Sequence, residues 1–297
     1  MIVSASYRTD IPAFYADWFR RRLAEGRVRV ANPYGGPPYE VPLRGPACDG
    51  FVFWTRNIAP FWPALEELRA LGLPFVVHYT ITGYPRPLET SVVCAEQAIE
   101  QAQRLADTYG SDAVVWRYDP VLLTSLTPTD WHKENFACLQ TRLTGACDEV
   151  VFSFAQIYAK TRANLDRAAK RHGFTWRDPS DVEKASLLRT LGDIALTDCM
   201  LPSLCAQPDL LSSGLAPAHC IDAERLSKVA GRPIAAKTKG NRPGCFCAES
   251  RDIGAYDTCP HGCTYCYAVR RPEVAKRNHR AHDPATPMLA PSAAAAD

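Results

Sequence analysis

Short apolar runs rich in β-branched and aromatic residues alternate with amphipathic stretches of helical period along most of the chain. MIVSAS (1–6) predicts a first strand, followed by a helix over 12–25 that ends at Gly26. FVFWT (51–55) predicts a second strand, and the helix after it places Trp62, Leu65, Leu68 and Leu71 on one stripe before Gly72. PFVVHYTIT (74–82) predicts the third strand; Ala95, Ile99, Ala102 and Ala106 mark its helix, with Gly110 beyond the end. AVVWRY (113–118) predicts the fourth, before a helix with Thr127 as N-cap, Pro128 at N1 and Asp130 in the first turn. EVVFSF (149–154) predicts the fifth, with helices near 160–172 and 180–198. MLPSLCA (200–206) is a sixth strand weakened by its proline.

Repeated βα units imply a parallel sheet with crossover helices. Neither a GxGxxG after the first strand nor a P-loop is present, so both nucleotide fingerprints are missing. The expectation is an α/β fold: a (β/α) barrel or partial barrel of TIM-like type over residues 1–232, favoured over an open doubly wound sheet. Beyond about residue 233 the periodicity gives way to Gly, Pro and Cys. Residues 233–271 are expected to form a cysteine-rich segment folding back on the barrel, and 272–297 a disordered tail.

Barrel enzymes carry their reacting groups at the C-terminal ends of the strands. Arg8, Thr9 and Asp10 follow the first apolar run, and Thr55, Arg56 and Asn57 the second. Thr80, Thr82, Gly83 and Tyr84 close the third, Arg117 and Asp119 the fourth, Ser153 and Gln156 the fifth. Each alone suits a turn or a local ion pair, such as Arg8 with Asp10 or Arg117 with Asp119. Five consecutive units converging on one rim predict a polar pocket there, with guanidiniums suited to a carboxylate or phosphate. Arg8, Asp10, Asn57, Arg117 and Asp119 are the catalytic candidates. His78, flanked by apolar neighbours, is expected to be a core histidine, and the aromatics of YRTDIPAFYADWF to be helix packing.

At 297 residues and 46% hydrophobic, the chain can bury a sizeable core. No apolar run approaches the roughly 18 residues of a membrane span. The opening MIVSASYRTD lacks the charged and apolar regions of a secretory signal, so a cytoplasmic protein without a membrane partner is expected. The net charge of +2 hides an asymmetry: residues 225–282 hold twelve Lys/Arg against four Asp/Glu, so the remainder is acidic. That basic region suits an anionic partner, nucleic acid included, although solvated charge is the commoner explanation.

Twelve cysteines without an export signal point to metal or redox chemistry rather than a disulfide framework. Cys48, Cys94, Cys138, Cys147 and Cys199 are scattered and expected to be small buried hydrophobes. The other seven lie between Cys205 and Cys266. In TCPHGCTYCYA (258–268), Cys259, Cys263 and Cys266 are spaced CxxxCxxC. Structural zinc favours paired CxxC knuckles and four ligands, and Cys245 or Cys247 could complete such a set around Cys263 and Cys266. Three thiolates at this spacing could instead hold three irons of a [4Fe–4S] cluster and leave the fourth open. Cys205, Cys220, Cys245 and Cys247 could close a second site, either an auxiliary cluster or zinc, against the plainer alternative of packed thiols.

Cys259, Cys263, Tyr265 and Cys266 match the CxxxCxΦC motif of radical S-adenosylmethionine (SAM) enzymes, and the run is also similar to the CPxxCxYCY of spore-photoproduct-lyase-type proteins. The openings VSAS and RTDIPAFY, with FWTRN, WRYDP and DIGAYDTCPHGCTYCYA, resemble the bacterial domain of unknown function 1848 family over nearly the whole chain. The radical-SAM resemblance implies a [4Fe–4S] cluster on Cys259, Cys263 and Cys266, with SAM bound at its open iron. Tyr265 would lie near the adenine, and Thr82 and Gln156 are further cofactor-binding candidates. It further implies one-electron cleavage of SAM, an electron donor as partner, and hydrogen abstraction from a substrate in the rim pocket, the cofactor supplying the chemistry. Two features depart from that family: the motif follows all the βα units instead of the first strand, and no GGE-like sequence follows the second strand. A metal-stabilised nucleic-acid-binding protein, or an iron–sulfur redox or repair protein that does not use SAM, are the competing readings.

Overall fold

The computed structural model describes residues 1–32 and 36–290. Its centre is a parallel sheet built from β1 (Ile2–Ala5), β4 (Gly50–Thr55), β5 (Phe75–Thr80), β6 (Val114–Val121), β7 (Glu149–Phe154), β8 (Leu201–Leu204), β9 (Ala216–Pro217) and β10 (Ser250–Asp252). The spatial order is β10-β1-β4-β5-β6-β7-β8-β9. From β1 to β9 the chain steps always to the next position, the unreversed order of a barrel rather than of a doubly wound sheet. The edge strands β9 and β10 do not pair with each other among the described residues, so the expected barrel is not closed. An antiparallel hairpin, β2 (Arg27–Val30) with β3 (Tyr39–Pro42), is inserted before β4.

The helices α2 (Ala16–Glu25), α3 (Trp62–Ala70), α4 (Ala95–Tyr109), α5 (Thr129–Leu143) and α7 (Asp181–Thr197) share one core with one sheet face. The period of two along each strand makes this possible: Phe51 and Phe53, Val77 and Tyr79, Trp116 and Tyr118, Val150 and Phe152 all point to the helices. The residues between them, Val52, Val76, Val115 and Val151, point to the other face. There they pack against Ala218, Ile221, Leu226 of α8 (Ala223–Ala230) and Ile234. The C-terminal segment thus fills the face that a closed barrel would fill with strand side chains alone. Toward the C-terminal strand ends the same face turns polar, with Ser4, His78 and Arg117 buried.

Several expectations shift. The first helix splits at Tyr15 into α1 (Ile11–Phe14), capped by the Asp10 side chain, and α2, which ends on Gly26 in the left-handed region. Helix α5 begins at Thr129 with Pro128 in the cap position, because the Thr127 hydroxyl is taken by Leu122 O and Thr124 Oγ1. Leu71 is exposed, outside the α3 stripe. Residues 272–290, expected to be disordered, contain α9 (Pro272–Arg280) and a strap fixed by Trp18 Nε1 to Thr286 O (3.0 Å) and by the buried Leu289. The rest of the expected tail, 291–297, lies outside the described residues. Of the scattered cysteines, Cys48 and Cys147 are buried, whereas Cys94, Cys138 and Cys199 are exposed, contrary to expectation. No helix among the described residues is long and apolar enough to cross a membrane.

Candidate active site

A cavity of about 580 Å³ opens at the C-terminal ends of the strands. Its wall includes Arg8, Asp10, Arg56, Arg117, Asp119, Ser153 and Gln156 from successive βα loops, as the strand-end pattern anticipates. All seven clustered cysteines line it as well.

The chain reaches this position through β10. Three residues, Ser250 to Asp252, pair in parallel with Ile2 to Ser4 and carry the chain to the cavity mouth. Asp252 accepts from Ser4 Oγ (3.0 Å), Ser6 Oγ (2.8 Å), Tyr7 N (3.1 Å), Arg8 Nε (2.9 Å) and Gly254 N (2.9 Å). Arg8 therefore pairs with Asp252, not with Asp10 in its own loop.

The cysteine loop then crosses the ends of β1, β4 and β5. Tyr15 Oη donates to Thr258 O (2.6 Å), and His261 Nε2 meets Asp10 Oδ2 at 2.7 Å. Asp10 also accepts from Thr55 Oγ1 (2.8 Å), Arg56 N (2.7 Å) and Ala13 N (2.9 Å), so it is an anchoring hub for three loops. On the other side, Cys263 forms an antiparallel bridge with Glu89, Thr264 N donates to Leu88 O (3.0 Å) and Ser91 N to His261 O (2.9 Å). Gly262 has φ +73° beside Thr90, where any side chain would collide with the threonine hydroxyl.

Behind the loop lies a buried polar network. Arg56 donates to Glu89 Oε1 (2.7 Å) and Tyr265 Oη (2.7 Å); Thr82 Oγ1 donates to Glu89 at 2.7 Å, and Tyr265 Oη also donates to Glu89. Desolvation alone would lower the Arg56 pKa, but Glu89 and its other neighbours outweigh it and hold the guanidinium firmly charged. Thr82, a cofactor-binding candidate, faces this network and does not line the cavity. Asn57 does not line it either: its Oδ1 accepts from Ala59 N (3.2 Å) in a turn. Tyr265, Gln156, Arg8, Asp10, Arg117 and Asp119 do line it.

Arg117 donates to Asp119 (Nε–Oδ2 2.9 Å) and to Cys220 Sγ (3.1 Å), and its guanidinium lies 5.0 Å from the Trp54 ring centroid. His78 stacks on Trp54 with ring centroids 4.5 Å apart; burial first, then Arg117, push its pKa well below the usual imidazole value. It is a core histidine, as expected. Arg8, Arg56 and Arg117 pair with Asp252, Glu89 and Asp119; the other cavity cations are Lys160, 5.3 Å from the Tyr256 ring, and Arg242, 3.5 Å from Cys205 Sγ.

Cys259, Cys263 and Cys266 are mutually close enough to interact electrostatically. Burial raises all three thiol pKa values, Cys263 to about 12. Main-chain N–H groups bond two of them, from His261 to Cys259 and from Ala268 to Cys266 (3.4 Å). The second set forms a ring: Cys205 and Cys220 sulfurs are 3.4 Å apart, Cys220 contacts Cys247, Cys247 contacts Cys245, and Cys245 interacts with Cys205. Among the described residues no group of three or more His, Cys, Asp or Glu side chains is arranged, as it stands, to hold a metal ion.

Glu89 and Asp252 are site residues that sequence reasoning missed: both lie in stretches without periodicity, and their partners are distant in the chain. His261, placed between two cysteines, is expected from the sequence to shape the loop, and its contact with Asp10 does so.

A family model described as domain of unknown function (DUF1848) matches residues 2–268. No curated protein and no solved structure matches the chain.

Proposed function

The chain belongs to the domain of unknown function 1848 family, and we propose that within it this protein is a radical-SAM-like iron–sulfur enzyme. The observation that carries the reading is topological. Strand β10 occupies the sheet edge before β1, parallel to it, and the CxxxCxxC loop leaves directly from its C-terminal end. In radical SAM enzymes the cysteine loop follows the first barrel strand. The late position of the motif in this chain thus corresponds in space to the family's early one, as in a permuted barrel.

The three thiols suit a cluster with an open iron. All three line the cavity, and three thiolates at this spacing leave one iron of a [4Fe–4S] cluster open. Cys259, Cys263 and Cys266 would hold the cluster, which when bound supplies one-electron reduction of SAM. The chain's own residues do the rest. Glu89, Arg56 and Tyr265 fix the loop from behind, and Asp10 with His261 fixes it from the β1 side. Trp54, Tyr256 and Tyr267 offer flat apolar surface in the cavity, and Lys160 and Arg242 offer positive charge. An anionic substrate fits that lining. Asp119, held by Arg117 and Ser153, would accept a hydrogen bond from a hydroxyl or amine of that substrate, away from its anionic group.

A nucleic-acid-binding reading draws on α9, where Arg271, Lys276, Arg277 and Arg280 are exposed. One experiment separates the two. Protein prepared anaerobically is assayed for iron and sulfide, then incubated with SAM and a strong reductant. The enzyme reading expects about four of each per chain, with 5′-deoxyadenosine formed and lost in Cys263→Ala. A metal-replete protein that leaves SAM intact under those conditions refutes it.

A further inference from the structure

The four remaining cysteines of the cavity wall have a structural context of their own. Cys205 follows β8 directly, and Cys220 lies just past β9, both at C-terminal strand ends. Cys245 and Cys247 belong to the stretch 232–249, which holds no helix or strand and is pinned internally by the bridge Thr238–Ala248. So long an irregular segment inside a compact domain has little core of its own. Residues Ala235 to Pro243 are exposed, and the buried positions cluster near the thiols: Ile234, Cys247 and Ala248. The chain folds tightly around Cys245. A Cβ on Gly240 would collide with the Cys245 carbonyl, and Gly244, at φ +71°, lies against Pro208.

The sulfurs also attract donors that packed thiols do not need. Arg117 Nη1 points at Cys220 Sγ (3.1 Å), Arg242 Nη2 at Cys205 Sγ (3.5 Å), and Ile221 N at Cys247 Sγ (3.3 Å). N–H groups aimed at sulfur stabilise thiolate rather than thiol, and such bonds are the usual outer shell of thiolate-bound metals. The 3.4 Å edge between Cys205 and Cys220 is close to the edge of about 3.8 Å that four sulfurs make around one ion at about 2.3 Å. The side chains of Cys205, Cys220, Cys247 and Cys245 stand in sequential contact, and small side-chain rotations would turn the four sulfurs onto a common centre.

We propose that Cys205, Cys220, Cys245 and Cys247 ligate a second, thiolate-bound metal centre that staples residues 232–249 to the ends of β8 and β9. Its occupant is a thiophilic metal with four thiolate ligands, supplied either as a zinc ion or as an iron–sulfur cluster. This centre does not depend on the role assigned to Cys259, Cys263 and Cys266.

The test uses a variant with Cys259, Cys263 and Cys266 all changed to Ala, purified anaerobically and analysed for zinc, iron and sulfide. About one zinc per chain, or about four iron and four sulfide, supports the proposal and identifies the source. Cys245→Ala with Cys247→Ala in that background should then lower the metal at least tenfold. A folded triple variant without metal, its four thiols open to a thiol reagent, overturns the proposal. Should the triple variant fail to fold, Cys245→Ala with Cys247→Ala in the otherwise unaltered chain decides: loss of about one zinc or of about four iron and four sulfide relative to the parent supports the proposal, and a metal content equal to the parent's overturns it. Because the triple variant lacks the CxxxCxxC thiols, failure of the radical-SAM reading would leave its metal content unchanged.

Discussion

Glu89 shows how much one buried charge can hold in place. It faces Arg56, Thr82 and Tyr265 with almost no exposure, and it bridges to Cys263 through the main chain. Removing one member of a buried ion pair leaves the other uncompensated, a loss of about 3–5 kcal/mol. Glu89→Ala should therefore lower urea stability by about that amount, whereas Glu89→Gln, which keeps the shape, should lose less. Equal stability of Glu89→Ala and the parent would mean that Arg56 finds water. His132 gives a second residue-scale prediction. Its Nδ1 accepts from Tyr118 Oη (2.9 Å) and its Nε2 donates to Leu122 O (3.1 Å), so the ring is held neutral. Burial lowers its pKa to about 4. The unfolded chain then binds the proton first as pH falls from about 6.5, so stability declines between about 6.5 and 4, by about 3 kcal/mol over that window. Urea midpoints of the parent and His132→Gln, measured at pH 7 and pH 4.5, should converge at the lower pH. A constant gap between them would assign the acid sensitivity to other groups.

At the scale of elements, the regular βα units were legible and the elements that build the site were not. Strands β4 to β7 and helices α4 and α6 (Ala159–His172) fall within a few residues of the sequence expectation, because each has an unbroken period of two or 3.6. The β2–β3 hairpin was missed although Arg27 to Val30 alternates exposed and buried positions. Strand β10 has only three residues and no pattern; it exists because Asp252 satisfies five donors from the β1 loop and its own turn. Pairing across that distance cannot be inferred from spacing, and local pairing of Arg8 with Asp10 was the natural but incorrect inference. Asp252→Ala should release β10, costing about 3–5 kcal/mol through the unpaired Arg8. It should also speed protease cleavage within 253–271, as followed by mass spectrometry. Unaltered cleavage would show that the loop is held by its contacts to Asp10 and Glu89 alone.

For the whole molecule, the linear motif announced three cysteines, but only the fold brings seven to one cavity. Two sequence distances hid this. The β8–β9 end supplies Cys205 and Cys220, and the irregular stretch supplies Cys245 and Cys247, so the sequence offers these four only as a candidate set and the sheet brings them to one wall. The molecule consequently has two levels of stability. The helix-covered face rests on a continuous apolar core, from Val3 to Leu289 in the chain, that includes none of the seven clustered cysteines. The cavity-side segment 232–268 contributes Ile234, Cys247, Ala248, Ile253 and Tyr265 to the apolar clusters and is tied down by Asp252, Asp10 and Glu89. Cooperative units of unequal stability should open separately. If metal stabilises that segment, stripping it anaerobically with a chelator should raise amide exchange in 232–268 at least tenfold while β4 to β7 stay protected. Exchange mapped by mass spectrometry decides between this and two alternatives. Uniform loss of protection would make the metal part of the global fold, and no change would mean that hydrogen bonds and packing alone hold the cysteine segments in place.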